Sequence, residues 1–487
     1  MLALLRDRKM LYHFHMDKSV LGLLEKIEGA GFEVALVGGA VRDILSGEEA
    51  HDWDFTTNAK PEEILKLFGD AFYNNAFGTV GVPIGKKVLE ITTYRSEKGY
   101  SDSRHPDAVV WGKTLEDDLK RRDFTVNAMG LRRETKGQRD PSKKLRASKG
   151  TRYIKVGSAD WEVVDLFGGQ EDLKNKIIRA VGDADERFRE DALRILRAVR
   201  FSTTLGFGIE EATGQAIKKN VQLLEKISGE RIREELFKIV ASDNGDRGLF
   251  LARDTGVLKI ILPELDRCFS VEQKSPKRHH IYDVGTHCVM SMKNCPSTKK
   301  IVRFATLLHD IGKADVANIT QEGIRTFYNH EVKGAHSANK ISDRLHLSKD
   351  AKTKVFKLVR WHQFSVSEDQ TDRAIRRFIN NVGQDNVEDM MDLRIGDRLG
   401  GGLEEPESWR LKLFRKRIKE VLTKPFMVAD LKINGRDVME VLGIKPGPKV
   451  GEILNILFEE VVDDENKNDR EYLTKRVREL ESNREKE

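Results

Sequence analysis

The chain is 487 residues long, which is enough for roughly three domains with separate cores. Charged residues make up 34% and aromatic residues 7%, typical of a soluble, largely helical protein, and the net charge of +6 is too small to indicate nucleic-acid binding by itself. No apolar run approaches the roughly 18 residues that span a bilayer, the N-terminus lacks a secretion signal, and three cysteines without a CxxC pair favour a reducing cytoplasm.

A helical lead-in, a strand and a glycine turn open the predicted fold. Residues 1–33 are expected to be mainly helical. The apolar run Val34–Val37 predicts a strand that ends at Gly38 and Gly39 and leads into an amphipathic helix containing Arg42. Glycines at such a turn let backbone N–H groups approach a triphosphate closely.

Two aspartates lie on the next predicted strand. Asp52 and Asp54 flank Trp53, and because side chains alternate along a strand, both carboxylates share one face. Adjacent carboxylates repel each other unless a cation lies between them, and such oxygen ligands suit Mg²⁺ bound with substrate phosphates. Glu90, on a further strand, would add a third carboxylate to a two-metal site. The alternative is ordinary exposed acidic residues, but the full pattern favours nucleotidyl transfer.

Polar and basic segments follow these strands. The chain between Tyr94 and Ala108 is polar and contains Gly, Ser and Pro, which predicts a mobile loop near the site. A helix-like segment then leads into Arg121 and Arg122, of which one is expected to reach a phosphate while the other pairs with acidic residues. Residues 131–155 form a basic insert, either disordered or a hairpin, that would contact RNA or form a solvated loop.

A second informative stretch, residues 186–201, is predicted as one helix. Its apolar residues form a core stripe. Asp191, Arg194 and Arg197 share the opposite side, with Arg200 at its edge. These residues form either ordinary surface ion pairs or an acceptor and a donor for the edge of an incoming base.

A third group of residues lies between residues 279 and 400, where histidines and aspartates recur on successive predicted helices. Its members are His287, His309, Asp310, His330, His362 and Asp397. A lone core histidine is usually satisfied by a hydrogen bond, but imidazoles and carboxylates on facing helices can build a metal site for hydrolysis.

Five segments together resemble the motif series of the class II tRNA nucleotidyltransferases and the related poly(A) polymerases. They are GGAVRD (38–43), DWD (52–54), RRDFTVNAM (121–129), DLFGG (165–169) and EDALRILRAVRF (190–201). The resemblance covers the first 245 residues in the family's order. The chain departs from the family pattern at Leu166, where proline is common, and in its basic insert.

This resemblance implies a role for each matching residue. Asp52 and Asp54 would bind Mg²⁺, Gly39, Arg42 and Arg122 would contact the triphosphate, Asp191 and Arg194 would template the base, and Arg197 and Arg200 would support the nucleotide. The middle region resembles an HD phosphohydrolase domain, in which His287, His309, Asp310 and Asp397 would bind a divalent metal of unknown identity, with His330 and His362 as additional candidates. That second resemblance implies phosphatase or phosphodiesterase activity.

We therefore predict a multidomain α+β protein with a small mixed α/β nucleotidyltransferase head, followed by a mostly α-helical neck, an HD-type helical body and a tail. The expected segments are a lead-in (1–33), the head (34–182), the neck (183–245), the HD-type domain (246–400) and a tRNA-binding tail (401–487).

The predicted activity is addition of CMP and AMP, from CTP and ATP, to the 3′ end of tRNA, with release of pyrophosphate. Sibling activities are CC addition, A addition and poly(A) synthesis. Asp102 and Arg104 in the polar loop favour a chain able to add A. An HD metal phosphohydrolase with a nucleotide-binding or RNA-binding head is the alternative from a different class. The sequence leaves the oligomeric state open.

Overall fold

The fold is that of a computed structural model. It describes residues 18–50, 52–73, 78–85, 87–98, 108–112, 114–133, 152–156, 159–273, 281–321, 323–364, 367, 370–422 and 428–484. The chain divides into two compact units, Met1–Asp266 and Arg267–Glu487.

A mixed eight-stranded sheet forms the base of the first unit. The strands of this unit are β1 (Val34–Val37), β2 (Asp54–Thr57), β3 (Phe72–Tyr73), β4 (Thr79–Ile84), β5 (Lys87–Thr93), β6 (Arg95–Lys98), β7 (Ala108–Trp111), β8 (Met129–Arg133), β9 (Arg152–Val156), β10 (Ala159–Asp165), β11 (Ile177–Ile178) and β12 (Gly208–Ile209). The large sheet has the order β3-β4-β5-β2-β1-β8-β10-β9, while β6 pairs with β7 and β11 with β12. Within the large sheet, β2 and β5 are parallel and the other neighbours are antiparallel.

The central strand β1 is buried on both faces of the sheet. Leu36 packs into a core that also contains Phe55 and Ile91, whereas Val37 packs on the other face with Tyr94. A strand that is covered on both faces is uniformly apolar rather than alternating, which explains why all four residues of β1 are buried.

Helices surround this sheet and continue beyond it. Up to residue 268 they are Lys18–Gly29, Gly39–Ser46, Pro61–Leu67, Leu115–Lys120, Gly169–Asn175, Ala184–Glu190, Leu193–Leu205, Glu211–Asn220, Gly229–Ala241, Gly245–Asp254, Val257–Ile261 and Pro263–Cys268. The helix Lys18–Gly29 lies in the predicted lead-in, whose first 17 residues are outside the described part of the chain. A mixed sheet followed by helices confirms the predicted fold class.

The single helix predicted over residues 186–201 is wrong. The structure has two helices, Ala184–Glu190 and Leu193–Leu205, that are separated at Asp191, where φ is −139° and ψ is 104°. The Asp191 carboxylate accepts a hydrogen bond from the Leu193 N–H at 3.1 Å. Aspartate side chains compete with the helical backbone in this way and favour helix ends.

Two further segments differ from the sequence prediction at their edges. The predicted loop from Tyr94 to Ala108 begins with β6, which pairs with β7 in an antiparallel hairpin. The predicted basic insert begins and ends in β8 and β9. Residues 99–107, including Asp102 and Arg104, and residues 134–151 lie outside the described part of the chain.

The second unit is almost entirely helical. Its helices are Val284–Asn294, Lys300–Leu308, Lys313–Val316, His330–Arg344, Lys349–Trp361, Asp372–Val382, Val387–Gly400, Trp409–Leu422, Gly435–Leu442, Pro448–Asp463 and Arg470–Arg484, with short strands β13 (Asn318–Ile319) and β14 (Arg325–Thr326). One apolar core includes Ile379 and Phe414, and another, nearer the C-terminus, includes Ile453 and Leu457. Across the described residues, no helix has both the length and the apolar character needed to cross a membrane.

Candidate active site

The sheet brings the predicted carboxylates of the head together. Asp54 is the register partner of Glu90 on β5 and of Val37 on β1. Because paired residues of neighbouring strands point to the same face, the Asp54 and Glu90 side chains lie side by side. Asp52 precedes Asp54 by two residues, and its charge also acts on the Asp54 carboxyl.

Gly38 holds the backbone of the turn directly against this cluster. Its φ is +73°, a conformation that L side chains rarely adopt. A Cβ at Gly38 would lie 3.2 Å from Arg122 Nη1 and 3.3 Å from Asp54 Oδ2. The glycine turn, a carboxylate and a guanidinium therefore meet at one point.

Loss of hydration, with neighbouring charges, shifts the pKa of Asp54. The end of the side chain is exposed, yet protein surrounds it on most sides. This loss of hydration raises the pKa of Asp54, Arg122 opposes the shift, and Glu90 and Asp52 add to it. A divalent cation would stabilise the charged form of this partly desolvated carboxylate and of its acidic neighbours.

Arg42 is held in position on the first helix after the turn. Its Nη1 donates to Asn127 Oδ1 at 2.7 Å, and its Nη2 lies 2.7 Å from Asp43 Oδ1. Gly39 lies beneath it, because a Cβ there would be 3.5 Å from Arg42 Nη2. The planar fork of an arginine held in this way suits a phosphate.

Asp118 organises the predicted arginine pair. It is fully buried, and it accepts from Arg121 Nη2 at 2.6 Å and from Arg122 Nη2 at 3.1 Å. Burial raises the pKa of Asp118, but both guanidiniums outweigh burial and lower it. Arg121 pairs with an acid as predicted, while Arg122 also reaches the Asp54 cluster through Nη1.

The structure does not pair Asp191 with Arg194. Asp191 Oδ2 instead accepts from Arg231 Nη2 at 2.8 Å. Arg194 binds Glu190 Oε2 at 2.6 Å and the carbonyl of Arg121 at 2.8 Å. The two side chains therefore have separate partners, and their base-templating role stays a prediction.

The remaining arginines of the helix Leu193–Leu205 form buried or half-buried ion pairs. Arg197 Nη2 lies 2.6 Å from Asp123 Oδ2, and Arg200 Nε lies 2.8 Å from Glu235 Oε2. Burial raises the pKa of Asp123, but Arg197 outweighs burial and lowers it. These two arginines thus hold neighbouring segments in place.

Sequence reasoning missed several residues that position this site. They are Asp118, Asp123, Asn127, Arg231 and Glu235. Asp123 and Asn127 lie inside the RRDFTVNAM segment, so their proximity to Arg122 along the chain was a usable signal. Nothing in the sequence indicated that Arg231 would contact Asp191 or that Glu235 would contact Arg200.

The second unit brings all six predicted histidine and aspartate side chains together. Asp310 Oδ2 lies 3.3 Å from His287 Nε2 and 3.4 Å from His309 Nε2. Asp310 Oδ1 lies 3.1 Å from His330 Nε2 and 3.4 Å from His362 Nε2. We call these six residues the histidine centre.

Asp397 lies next to His287 and His309 in the histidine centre. Its Oδ1 lies 3.2 Å from His287 Nε2 and 3.5 Å from His309 Nε2, and its Oδ2 lies 3.0 Å from Arg394 Nη1. Lys313 Nζ donates to Asp310 Oδ2 at 2.5 Å and to Gln273 Oε1 at 2.7 Å. The donor set of imidazole nitrogens and carboxylate oxygens suits Zn²⁺, Mn²⁺, Fe²⁺ or Ni²⁺.

Without a cation, the histidine centre shifts the pKa of its members in opposite directions. Burial lowers the pKa of His309, but the carboxylates of Asp310 and Asp397 outweigh burial and raise it to about 10. For His362, burial outweighs its contact with Asp310, so its pKa is lowered.

Three family models and a CCA-adding enzyme match this chain. Residues 34–179 match the family model "Poly A polymerase head domain", residues 206–269 match "Probable RNA and SrmB- binding site of polymerase A", and residues 332–477 match "tRNA nucleotidyltransferase domain 2 putative". The CCA-adding enzyme of Ligilactobacillus salivarius is 34% identical over 467 residues, which cover 95% of this chain and 96% of that relative.

A second relative and a solved structure agree with these matches. The CCA-adding enzyme of Lactobacillus helveticus is 46% identical over 234 residues, so the aligned part is 48% of this chain and 52% of that relative. The crystal structure of the Bacillus stearothermophilus CCA-adding enzyme in complex with CTP superposes with a TM-score of 0.68 at 26% identity, covering 97% of this chain and all of that one.

Proposed function

This chain belongs to the family of CCA-adding enzymes, and we propose that it adds CMP and AMP, taken from CTP and ATP, to the 3′ end of tRNA. In this reaction the terminal hydroxyl of the RNA forms a bond to the α-phosphorus, and pyrophosphate leaves. The observation that carries the proposal is the contact at Gly38, where the turn, Asp54 and Arg122 meet beside Glu90. The structural relative in complex with CTP supports the nucleotide class.

The carboxylates of the head fit Mg²⁺. Asp54 and Glu90 supply oxygen ligands on one face of the sheet, Asp52 lies two residues before Asp54, and the raised pKa of Asp54 reflects burial, to which the charges of Glu90 and Asp52 add. When bound there, Mg²⁺ supplies charge stabilisation at the attacking and leaving oxygens. The backbone at Gly38 and Gly39, together with Arg42 and Arg122, positions the triphosphate so that its α-phosphorus faces the carboxylates.

The helix Leu193–Leu205, whose arginines form ion pairs, would lie beside the base of the incoming nucleotide. Asp191 and Arg194 each have a fixed protein partner, and fixed hydrogen-bonding groups select a base better than mobile ones do. We assign nucleotide choice to this pair, with Arg197 and Arg200 keeping the helix in place.

The compartment of the protein follows from its cysteines. Cys268, Cys288 and Cys295 are all buried and free of disulfides. Buried cysteines that form no disulfide fit a reducing environment, so we propose that the protein acts in the cytoplasm.

The test is an extension assay on tRNA transcripts that end before the first C or after the second C, with an unrelated RNA as the third substrate. Addition of C and then A on tRNA alone is the expected result for the wild type. Asp54→Asn should reduce extension to background, while Asp70→Asn, at an exposed position of the head, should not. Addition of C only, of A only or of long A tails would identify a sibling activity instead.

A second candidate function resides in the second unit, where we propose metal-dependent hydrolysis of a phosphoester. The convergence of four histidines and two aspartates on one point favours it. Asp310→Asn should abolish hydrolysis of a phosphodiester such as bis(p-nitrophenyl) phosphate and leave nucleotide addition unchanged. If Asp310→Asn leaves hydrolysis intact, the activity does not reside in the histidine centre.

A further inference from the structure

We infer that Phe201 is a positioning residue for nucleotide addition, because its ring holds Arg42 at the triphosphate and ties that arginine to the helix Leu193–Leu205. The inference rests on the proposed nucleotide addition and deepens it. Phe201 is the last residue of the EDALRILRAVRF segment. It contacts both an arginine that we assign to the phosphates and arginines of the helix that we assign to the base.

Three guanidinium groups lie over the ring of Phe201. The Cζ atoms of Arg200, Arg197 and Arg42 are 3.4, 5.2 and 5.9 Å from the ring centroid. All three distances fall within the roughly 6 Å over which the electron-rich face of an aromatic ring attracts a cation. One ring therefore interacts with an arginine of the first helix after the glycine turn and with two arginines of its own helix.

The Phe201 ring is itself fixed in position. It is 6% exposed, and it forms a T-shaped pair with the ring of Phe124, with centroids 5.7 Å apart and an interplanar angle of 76°. T-shaped pairs are a favoured geometry of aromatic rings. Burial also strengthens the attraction between a ring and a cation, because water competes less for the cation. A buried ring with a fixed orientation can therefore determine where the guanidiniums lie.

The short segment that supplies Phe124 also supplies hydrogen-bond acceptors for two of these arginines. Asp123 Oδ2 accepts from Arg197 Nε at 2.7 Å, and Asn127 Oδ1 accepts from Arg42 Nη1 at 2.7 Å. Each of these guanidiniums thus has a polar partner in this segment and the same aromatic partner. The segment and the ring together join the first helix after the glycine turn to the helix Leu193–Leu205.

The arginines over the ring carry like charges that repel one another. Burial lowers the pKa of Arg200, Glu235 opposes the shift, and the charge of Arg197 lowers the pKa further. The face of the ring attracts both guanidiniums, so it offsets part of their repulsion. Loss of this attraction would let the guanidiniums move apart.

Arg42 keeps donors for a phosphate in this arrangement. Its Nε donates to Asp43 Oδ1 at 2.9 Å, its Nη1 donates to Asn127 Oδ1, and its Nη2 lies 2.7 Å from Asp43 Oδ1. Because each terminal nitrogen of a guanidinium carries two N–H groups, Nη1 and Nη2 each retain one N–H beyond these contacts with the described residues. Without the ring, only Asp43 and Asn127 would hold the guanidinium, and its alignment with a triphosphate would be looser.

The test places fluorinated phenylalanines at position 201 of the full chain. Fluorine draws electron density from the ring face, so mono-, di- and trifluorination weaken the attraction for cations in steps, while the size of the ring changes little. We expect the Kd for CTP, and the KM for CTP in C addition, to rise stepwise, by about three- to tenfold for the trifluorinated ring. The kcat at saturating CTP should change little. Calorimetry and extension of a tRNA that ends before the first C are the measurements.

Three comparisons separate the attraction for cations from simple packing. Trifluorinated phenylalanine at position 188 is the matched control, because Phe188 is buried on the preceding helix and, among the described residues, no guanidinium lies over its ring; it should leave the Kd for CTP unchanged. Phe201→Leu keeps an apolar side chain without a ring and should weaken CTP binding at least as much as trifluorination does. The Kd for pyrophosphate should rise by the same factor as that for CTP, because Arg42 would contact the phosphates of both.

The outcomes separate this inference from the proposed function. A Kd for CTP that does not change with fluorination overturns the inference, and this holds even if Phe201→Leu fails to fold. Weaker binding of CTP with unchanged binding of pyrophosphate also overturns it, because the ring would then act on the base rather than through Arg42. A wild-type chain that binds CTP but does not extend tRNA overturns the proposed function alone, whereas one that binds no CTP overturns both.

Discussion

At the scale of single residues, the head site depends on a backbone position that tolerates no side chain. Gly38 combines a φ of +73° with close contact to Arg122 and Asp54. A methyl group there carries two penalties, one in the backbone conformation and one in the position of the charged groups. Gly47, at the other end of the same helix, allows a comparison, because a methyl group there would affect the backbone conformation but would not displace a charged group.

We predict that Gly38→Ala destabilises the protein more than Gly47→Ala does, because ψ is −136° at Gly38 and 16° at Gly47, and that only Gly38→Ala lowers activity strongly. Both glycines have positive φ, which costs an L residue about 1–3 kcal/mol, yet a Cβ at Gly47 meets no other atom within 4 Å. Gly38→Ala should lower the rate of C addition about a hundredfold, since a displaced catalytic group loses about that much. Melting temperature and extension rate are the measurements. Equal extension rates in the two variants would contradict the role of the turn.

The charge of Asp54 gives a prediction for stability. Its folded-state pKa is raised above the ordinary 3.8, so the folded chain binds a proton more tightly than the unfolded chain does. The contribution of Asp54 to stability therefore falls as pH rises from about 4 through the raised pKa. In chelator-treated protein, Asp54→Asn should be stabilising relative to the wild type at neutral pH, and this advantage should shrink towards pH 4.

Urea unfolding at several pH values tests this expectation. Asp70→Asn serves as the control, because Asp70 is exposed and outside the cluster. Added Mg²⁺ should reverse the order at neutral pH by stabilising the wild type. An Asp54→Asn variant that is less stable than the wild type at neutral pH without metal would show that the charged form of Asp54 does not destabilise the fold.

At the scale of elements, the break at Asp191 links two helices that are distant in the sequence. Asp191 accepts from the Leu193 N–H at the start of the helix Leu193–Leu205 with one oxygen, and from Arg231 on Gly229–Ala241 with the other. The same carboxylate therefore fixes the start of one helix and its contact with another. The position of Asp191, for which we propose a role in base selection, thus depends on an arginine about 40 residues further along the chain.

We predict that Arg231→Gln weakens nucleotide choice more than it weakens the overall rate. A hydrogen bond between charged groups contributes about 1.5–3 kcal/mol, so loss of the fixed Asp191 should reduce discrimination against GTP and UTP about tenfold. Glu234→Gln removes a charge from the same helix at an exposed position and serves as the control. Misincorporation on a tRNA that lacks its terminal nucleotides is the measurement. Unchanged discrimination with a reduced rate would assign Arg231 to stability alone.

At the scale of the whole molecule, each of the two compact units carries its own cluster of acidic or imidazole ligands. The head cluster is formed by strands and a glycine turn, whereas the histidine centre is formed by helices and the residues that directly follow them. Oxygen ligands in the first and mixed nitrogen and oxygen ligands in the second select different cations.

We predict that metal removal destabilises the chain through two separable sites. A cation that binds the folded chain and not the unfolded chain stabilises the fold, so Mn²⁺ should raise the apparent Tm, with about 2.7 kcal/mol expected at a concentration of 100 times Kd. Asp310→Asn should suppress the part of the response that arises in the histidine centre, while Asp54→Asn should leave that part unchanged. Thermal unfolding with and without chelator is the measurement. A response to Mn²⁺ that survives Asp310→Asn in full would place the ion elsewhere.

Local sequence patterns predicted the candidate site residues and many of the helices and strands around them. Strand β1, the turn at Gly38, the spacing of Asp52 and Asp54 and the placement of His309 and Asp310 after a helix all follow from local patterns of apolar residues and glycines. These patterns are periodic and short-range, so they are visible in the chain without its fold.

Only the tertiary structure decided how those residues are paired. Glu90 joins Asp54 because β2 and β5 are neighbours, and Arg231 binds Asp191, whereas a surface ion pair with Arg194 was one of the two alternatives drawn from the sequence. The division of the histidine centre around the two oxygens of Asp310 is likewise a long-range result. Strand order and helix packing bring distant segments together, and no local pattern encodes which of several charged residues ends up within hydrogen-bonding distance of another.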